Sequence, residues 1–117
     1  VCHSQGGMFG LTMARRRPDR VRAVVALEPA AVPPPSAQDQ DYRVPTLIIL
    51  GDRIEDDARW PAMRARIEAF AARHASVEIL SLPERGMRGN SHMLMMDRNQ
   101  LDIADLVHDW LERKLQG

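Results

Sequence analysis

The sequence has a single cysteine, no net charge and no long apolar run, and each shortage excludes a class of protein. Cys2 has no second cysteine with which to form an internal disulfide, which excludes a disulfide-stabilised scaffold. No run of about 18 apolar residues is present, so the sequence predicts no membrane-spanning helix. Sixteen Lys and Arg balance 16 Asp and Glu, and a neutral chain has no overall field that would attract nucleic acid or an anionic membrane. We therefore expect neither nucleic acid nor a membrane among its partners.

The remaining composition is that of one globular domain. The chain has 117 residues, of which 44% are hydrophobic and 27% are charged, and a chain of this length buries about two thirds of its unfolded surface. It begins at Val1 without a methionine and has no signal-peptide pattern. We expect that a preceding part of the domain lies outside this sequence, which leaves both a cytoplasmic and an exported protein open.

Short apolar runs alternate with amphipathic segments along the chain. Three β-branched runs predict strands at residues 21–27, 46–50 and 77–82. Apolar residues at helical spacing predict a helix at residues 5–16, a second helix capped by Asp56 or Asp57, and a last helix that includes residues 103–111. This order predicts an α/β fold, in which a parallel sheet with flanking helices is connected by right-handed crossovers.

Residues 2–7, Cys-His-Ser-Gln-Gly-Gly, lie at the start of the first predicted helix. They resemble the nucleophile elbow of the α/β hydrolases, Gly-x-Ser-x-Gly, with Cys2 in the place of the first glycine. Such a turn needs small residues because its backbone comes close to neighbouring elements while the serine hydroxyl is lifted clear. The resemblance makes Ser4 the nucleophile and the backbone N–H of Gln5 one donor of the oxyanion hole. We interpret Cys2 as a buried, inert thiol.

A serine nucleophile needs a histidine that takes its proton and a carboxylate that orients the histidine. The chain has four histidines, which are His3, His74, His92 and His108. Among them, His92 lies in a loop after a predicted strand, and parallel α/β sheets place functional groups at the carboxyl ends of their strands. We therefore select His92 as the general base. The alternative is a histidine that is merely exposed or hydrogen-bonded.

The carboxylate has two candidate positions. In most α/β hydrolases it follows the next-to-last strand, three residues after a glycine, and that position here is the apolar Ile54. The acidic residues close to it also suit a turn or a helix start, and they are Asp52, Glu55, Asp56 and Asp57. Glu28 ends the preceding predicted strand and is followed by Pro29, which fixes the turn after it. We favour Glu28 because a carboxylate at that strand end faces the expected site.

The elbow, Glu28 and the segment Gly-Asn-Ser-His-Met-Leu-Met-Met-Asp at residues 89–97 are together similar to bacterial esterases of the Alcaligenes esterase type. In that group the triad consists of Ser, Glu and His, with the acid one strand earlier than usual. The resemblance implies Ser4 as nucleophile, Glu28 as orienting acid and His92 as general base. It also implies that residues 1–117 are the C-terminal portion of one α/β-hydrolase domain, with its last three strands. The N-terminal half, with the second oxyanion donor, is then expected to be absent.

These assignments predict a serine carboxylic-ester hydrolase that forms an acyl-enzyme with a small-molecule ester. Cleavage of lactones or amides by the same residues stays open. No metal is expected because histidines and acidic residues do not recur at ligand spacings, and no organic cofactor is implied. The alternative is a non-catalytic fragment that acts as a scaffold, and an unpaired sheet edge would let copies of the chain associate. We expect the isolated chain to lack esterase activity.

Overall fold

The structure is a computed structural model, and it describes residues 1–35, 42–52 and 56–116. Within these residues, four parallel strands form one sheet in chain order, and they are β1 (Cys2–His3), β2 (Val24–Leu27), β3 (Thr46–Leu50) and β4 (Val77–Ser81). The same residues include three helices that flank the sheet, and they are α1 (Gln5–Arg16), α2 (Trp60–Arg73) and α3 (Gln100–Leu115). Two short 3₁₀ turns, Pro83–Arg85 and Leu94–Met96, lie between β4 and α3. The predicted parallel sheet with flanking helices is confirmed.

The described sheet has one strand more than the three predicted. Cys2 and His3 form the two-residue strand β1, in which Cys2 pairs with Ala26 and His3 with Leu27 of β2. A strand of two residues carries too little apolar periodicity to be recognised from sequence. Strand β2 is shorter than the predicted run, because its ladder with β3 begins where Val24 pairs with Thr46, directly after Pro45.

The core consists of two apolar layers, one on each face of the sheet. Successive side chains of a strand point to opposite faces. Ile48 therefore packs in the layer that contains Leu11 of α1 and Phe70 of α2. Ile49 packs in the other layer, which contains Trp110 of α3. Both faces of the sheet are therefore covered by packed apolar side chains, and the loops at the carboxyl ends of its strands start from this packed core.

Helix α1 has the predicted bounds and packs closely on the loop after β2. A Cβ atom placed on Gly7 would lie 2.6 Å from the Cβ of Pro29, so the helix approaches the loop only because this residue has no side chain. The helix ends at Arg16, with Pro18 shortly after its C-cap. Within the described ranges, no helix is long and apolar enough to cross a membrane.

Helix α2 begins later than predicted and is not capped by the side chain of Asp56 or Asp57. Its N-cap residue is Arg59, and the helix starts at Trp60. The carboxylate of Asp57 instead accepts the backbone N–H of Arg59 at 2.9 Å and its guanidinium at 2.8 Å. The guanidinium and the backbone N–H of Arg59 lower the pKa of Asp57 to about 2. The carboxylate of Asp57 therefore accepts hydrogen bonds within the turn before the helix and does not cap the helix itself.

Candidate active site

Ser4 occupies a strained turn between β1 and α1. Its backbone has φ 55° and ψ −123°, a combination that costs a non-glycine residue about 1–3 kcal/mol and persists only where the surroundings enforce it. Three backbone hydrogen bonds do so here. The N–H of Ser4 donates to Leu27 at 3.1 Å, and its carbonyl accepts the N–H groups of Gly7 and Ala30, both at 2.9 Å. The turn is thereby tied to the carboxyl end of β2.

Glu28 follows β2 directly, and its side chain is fully buried. Its φ of 45° is again in the left-handed region, which turns the side chain away from the extended path of the strand. One carboxylate oxygen, Oε1, accepts the backbone N–H of Gly51 at 3.0 Å. The other, Oε2, lies 3.4 Å from Nδ1 of His92. A buried carboxylate requires such partners, and the histidine is one of the two.

His92 lies between Ser4 and Glu28. Its Nε2 is 3.0 Å from the Oγ of Ser4, while its Nδ1 faces the carboxylate of Glu28. If Nδ1 carries the proton toward Glu28, Nε2 has a free lone pair toward the serine hydroxyl. The backbone carbonyl of His92 accepts a hydrogen bond from Nε2 of His3 at 2.8 Å. The structure thus brings together Ser4, Glu28 and His92. In the sequence His92 lies 88 residues after Ser4 and 64 residues after Glu28.

The loop that carries His92 is anchored to the end of β3 by Asp52. The two carboxylate oxygens of Asp52 accept the backbone N–H groups of Gly89 and Asn90, each at 2.8 Å. The N–H of Gly89, together with the N–H of Asn90, holds the pKa of Asp52 below its usual range against the opposing effect of desolvation. Gly89 has a φ of 84°, and this left-handed conformation favours glycine.

The same loop is anchored on its other side by residues that precede α3. The buried amide of Asn90 donates to Asp97 at 3.0 Å and exchanges two hydrogen bonds with the amide of Asn99, at 2.7 and 3.1 Å. The backbone N–H and the hydroxyl of Ser91 also donate to Asp97, at 2.8 and 2.7 Å. No sequence pattern predicts these hydrogen bonds, although Asn90 and Asp97 lie in the segment that carries the esterase resemblance.

Known proteins are similar to this chain in fold and in part of its sequence. Residues 1–48 match the family model of the alpha/beta hydrolase fold. A solved structure described as a novel bacterial esterase is 38% identical to the chain and has a TM-score of 0.83, covering 96% of this chain and 36% of the esterase. The fold of this chain is that of the α/β hydrolases. The predicted resemblance to these hydrolases and to bacterial esterases is confirmed.

Two further proteins are similar to this chain. A probable secreted lipase, phiG, of a fungal species (strain ATCC 74256) is 25% identical over an alignment 168 positions long, which covers 97% of this chain and 45% of the lipase. A predicted CIB-like hydrolase from Thermoplasma acidophilum is 17% identical with a TM-score of 0.69, covers 95% of this chain and 48% of that one, and shows likeness of fold alone. The chain spans less than half the length of each of these three relatives.

Gln5 and Cys2 flank the serine of this α/β-hydrolase fold. Gln5 is the first residue of α1, where backbone N–H groups have no acceptor within the helix and the helix dipole is positive. The thiol of Cys2 donates to the carbonyl of Val25 at 3.6 Å, and burial raises the pKa of this thiol. A Cβ atom on Gly10 would lie 2.8 Å from the Cys2 sulfur, so a glycine in α1 accommodates the cysteine that replaces the first elbow glycine.

Two other histidines have partners of their own. His74 is buried and packs against the rings of Tyr42 and Phe70, with centroids 5.3 and 4.9 Å away. His108 is exposed on α3, and its Nε2 is 3.3 Å from the carboxylate of Glu112. Neither of these contacts involves Ser4.

The acidic residues near the superfamily's usual acid position do not contact His92 in the described part of the chain. Asp52 and Asp57 accept backbone N–H groups as described above. Asp56 is exposed, and Ile54 and Glu55 lie outside the described residues. Among the residues that the structure describes, no group of three or more His, Cys, Asp or Glu side chains could hold a metal ion.

Gly51 is the point at which β3, Glu28 and the histidine loop meet, and we expect it to tolerate no side chain. A Cβ atom there would lie 2.8 Å from Oε1 of Glu28 and 3.2 Å from both Asn90 and Leu94. Overpacking of this kind costs about 1–3 kcal/mol. Gly51→Ala should therefore lower the free energy of unfolding by that amount in urea denaturation of the complete gene product.

The matched control is Gly6→Ala. A Cβ atom on Gly6 meets only the Cβ of Cys2, at 3.9 Å, which is ordinary contact, and alanine is the better helix former by about 1 kcal/mol. Gly6→Ala should therefore leave the stability unchanged or slightly raised. Equal stability of the two variants would contradict the close approach at Gly51.

Proposed function

We propose that this protein is a serine carboxylic-ester hydrolase that acts through an acyl-enzyme. The observation that carries the proposal is the hydrogen-bonded chain from Ser4 Oγ to His92 Nε2 at 3.0 Å and from His92 Nδ1 to Glu28 Oε2 at 3.4 Å. A nucleophile, a base within hydrogen-bond reach and a carboxylate that orients the base are the three parts that acyl transfer by serine requires. The 3.4 Å contact is long, as such contacts often are before substrate binds.

In the first step, the Ser4 oxygen bonds to the ester carbonyl carbon while its proton moves to Nε2 of His92. The carbonyl oxygen becomes an oxyanion, to which the backbone N–H of Gln5 would donate. A single donor of this kind is worth about 2.7–4 kcal/mol. The bond to the leaving alcohol then breaks, and the alcohol oxygen takes the proton from His92.

In the second step, water attacks the acyl-enzyme and gives a proton to Nε2 of His92. The bond between Ser4 and the acyl group breaks, the acid leaves, and the serine regains its proton from the histidine. Glu28 would hold the histidine in one tautomer and stabilise its protonated form in both steps. Its burial suits this role, because a charge pair is stronger away from water.

Esters are the proposed substrates because one relative is described as an esterase and another as a probable lipase. His92 is placed to give the leaving alcohol the one proton that it needs.

Covalent labelling tests the proposed nucleophile. We expect the complete gene product to react with paraoxon, whose p-nitrophenolate leaves as the Ser4 oxygen bonds to phosphorus, and mass spectrometry of peptides to place the adduct on Ser4. Ser4→Ala should take up no label, because no other described hydroxyl faces His92 Nε2. Ser76→Ala is the matched control, since the Ser76 hydroxyl only donates to the carbonyl of Tyr42. An adduct on another residue, or equal labelling of Ser4→Ala, would contradict the proposal.

A further inference from the structure

The carboxyl end of β3 binds both Glu28 and the loop that carries His92, the two residues that continue the hydrogen-bonded chain from Ser4. The N–H of Gly51 binds one oxygen of Glu28, and the next residue, Asp52, binds the loop that carries His92. Two adjacent residues of one rigid strand end therefore fix the carboxylate and the histidine relative to each other.

The ring of His92 needs such an external anchor. Its side chain is 45% exposed, so packing alone does not lock its orientation. Its position follows from the backbone of the loop, and Asn90 is two residues away. Asp52 holds this backbone from the β3 side, while Asp97 and Asn99 hold it from the α3 side.

We propose that Asp52 is a positioning residue that sets the distance of His92 from Glu28 and Ser4. This inference rests on the proposed function. Asp52 does not contact the histidine in the described structure, and it acts through the backbone N–H groups of Gly89 and Asn90. A carboxylate suits both bonds because each of its oxygens only accepts.

Asparagine at this position has the same shape and the wrong hydrogen-bonding pattern. Its amide oxygen can accept one of the two N–H groups, and its NH₂ group then meets the other N–H, so that two donors face each other. Hydrogen bonds to charged groups are also the stronger ones. Asp52→Asn should therefore release one end of the loop, by breaking the bond to either Gly89 or Asn90.

The experiment compares Asp52→Asn with Asp57→Asn in the complete gene product, with p-nitrophenyl butyrate as substrate. Asp57 is the matched control because its carboxylate also accepts a backbone N–H, that of Arg59, on a turn before α2. We expect Asp52→Asn to lower kcat about tenfold and to change KM less than twofold, because the residue orients the base and binds no substrate. Asp57→Asn should leave both constants within twofold of the wild type.

A second readout needs no activity. Backbone amide exchange measured by NMR should be about tenfold faster in Asp52→Asn for whichever of Gly89 and Asn90 loses its acceptor, and unchanged at both residues in Asp57→Asn. If Asp52→Asn fails to fold, Asp52→Glu takes its place. It keeps the charge but moves both acceptors by one methylene, and it should lower kcat with KM unchanged.

The outcomes separate the two proposals. If the wild type shows no turnover that is lost when Ser4 is replaced, the proposed function is contradicted. The exchange rates at Gly89 and Asn90 then decide the role of Asp52. Turnover that depends on Ser4, together with an unchanged kcat in Asp52→Asn, overturns the positioning role alone. Full kcat in Asp52→Glu beside an unfolded Asp52→Asn would mean that the residue only stabilises the fold. Unchanged amide exchange at Gly89 and Asn90 in a folded Asp52→Asn would mean that the carboxylate does not hold the loop, and this too overturns the positioning role.

Discussion

Replacing His92 by alanine is expected to lower kcat for ester hydrolysis about 10⁶-fold, since a serine without its base loses nearly all of its reactivity. The expectation follows from the position of His92, whose Nε2 lies 3.0 Å from the Ser4 hydroxyl. Residual hydrolysis above the rate in water would come from the oxyanion donor and from substrate binding. Steady-state kinetics on p-nitrophenyl butyrate measures the loss, and a thermal melt shows whether the variant is folded.

His108→Ala is the matched control for this experiment. His108 is an exposed histidine whose ring pairs with Glu112 one helical turn away, and such a pair contributes little to stability. Its kcat should stay near that of the wild type. His74→Ala should also keep its kcat, although the loss of buried contacts with Tyr42 and Phe70 should lower its melting temperature. An inactive His108→Ala beside an active His92→Ala would contradict the choice of base.

The sequence predicts those helices and strands whose ends are marked by strong local signals. Residues 5–16 are predicted as a helix and form α1, because Pro18 ends the helical pattern and Ser4 precedes it. Residues 46–50 are predicted as a strand and form β3, which lies between Pro45 and Gly51. The two-residue strand β1 carries no such signal, and its pairing with Ala26 and Leu27 arises only in the folded sheet.

The candidate site likewise contains residues that the sequence predicts and a residue that it does not. Ser4, Glu28 and His92 can be selected from sequence because a triad demands fixed residue types at strand ends in a fixed order. Asp52 cannot, because its partners are backbone N–H groups 37 and 38 residues away. Every residue except proline offers an N–H, so such a bond leaves no pattern in the side chains.

Glu28 is the proposed acid, one strand before the usual position of that residue, and Glu28→Gln should lower kcat about 10⁴-fold. The amide oxygen of glutamine can still accept the N–H of Gly51, which directs its NH₂ group toward Nδ1 of His92. A donor there favours the tautomer with the proton on Nε2, and that nitrogen then cannot accept the proton of Ser4. His92 is then still present but cannot act as the general base.

The comparison that decides the acid is between Glu28→Gln, Asp52→Asn and Asp56→Asn, measured at saturating p-nitrophenyl butyrate with folding checked by thermal melt. The three changes each replace a carboxylate by its amide, so they differ only in where the charge is lost. Asp56 is exposed before α2, so its variant should keep the wild-type kcat, whereas Asp52→Asn should show the roughly tenfold loss of a displaced loop. A Glu28→Gln enzyme that keeps most of its kcat, beside an Asp52→Asn enzyme that loses it, would place the acid after β3 and would leave Glu28 as a buried carboxylate that only fixes Gly51.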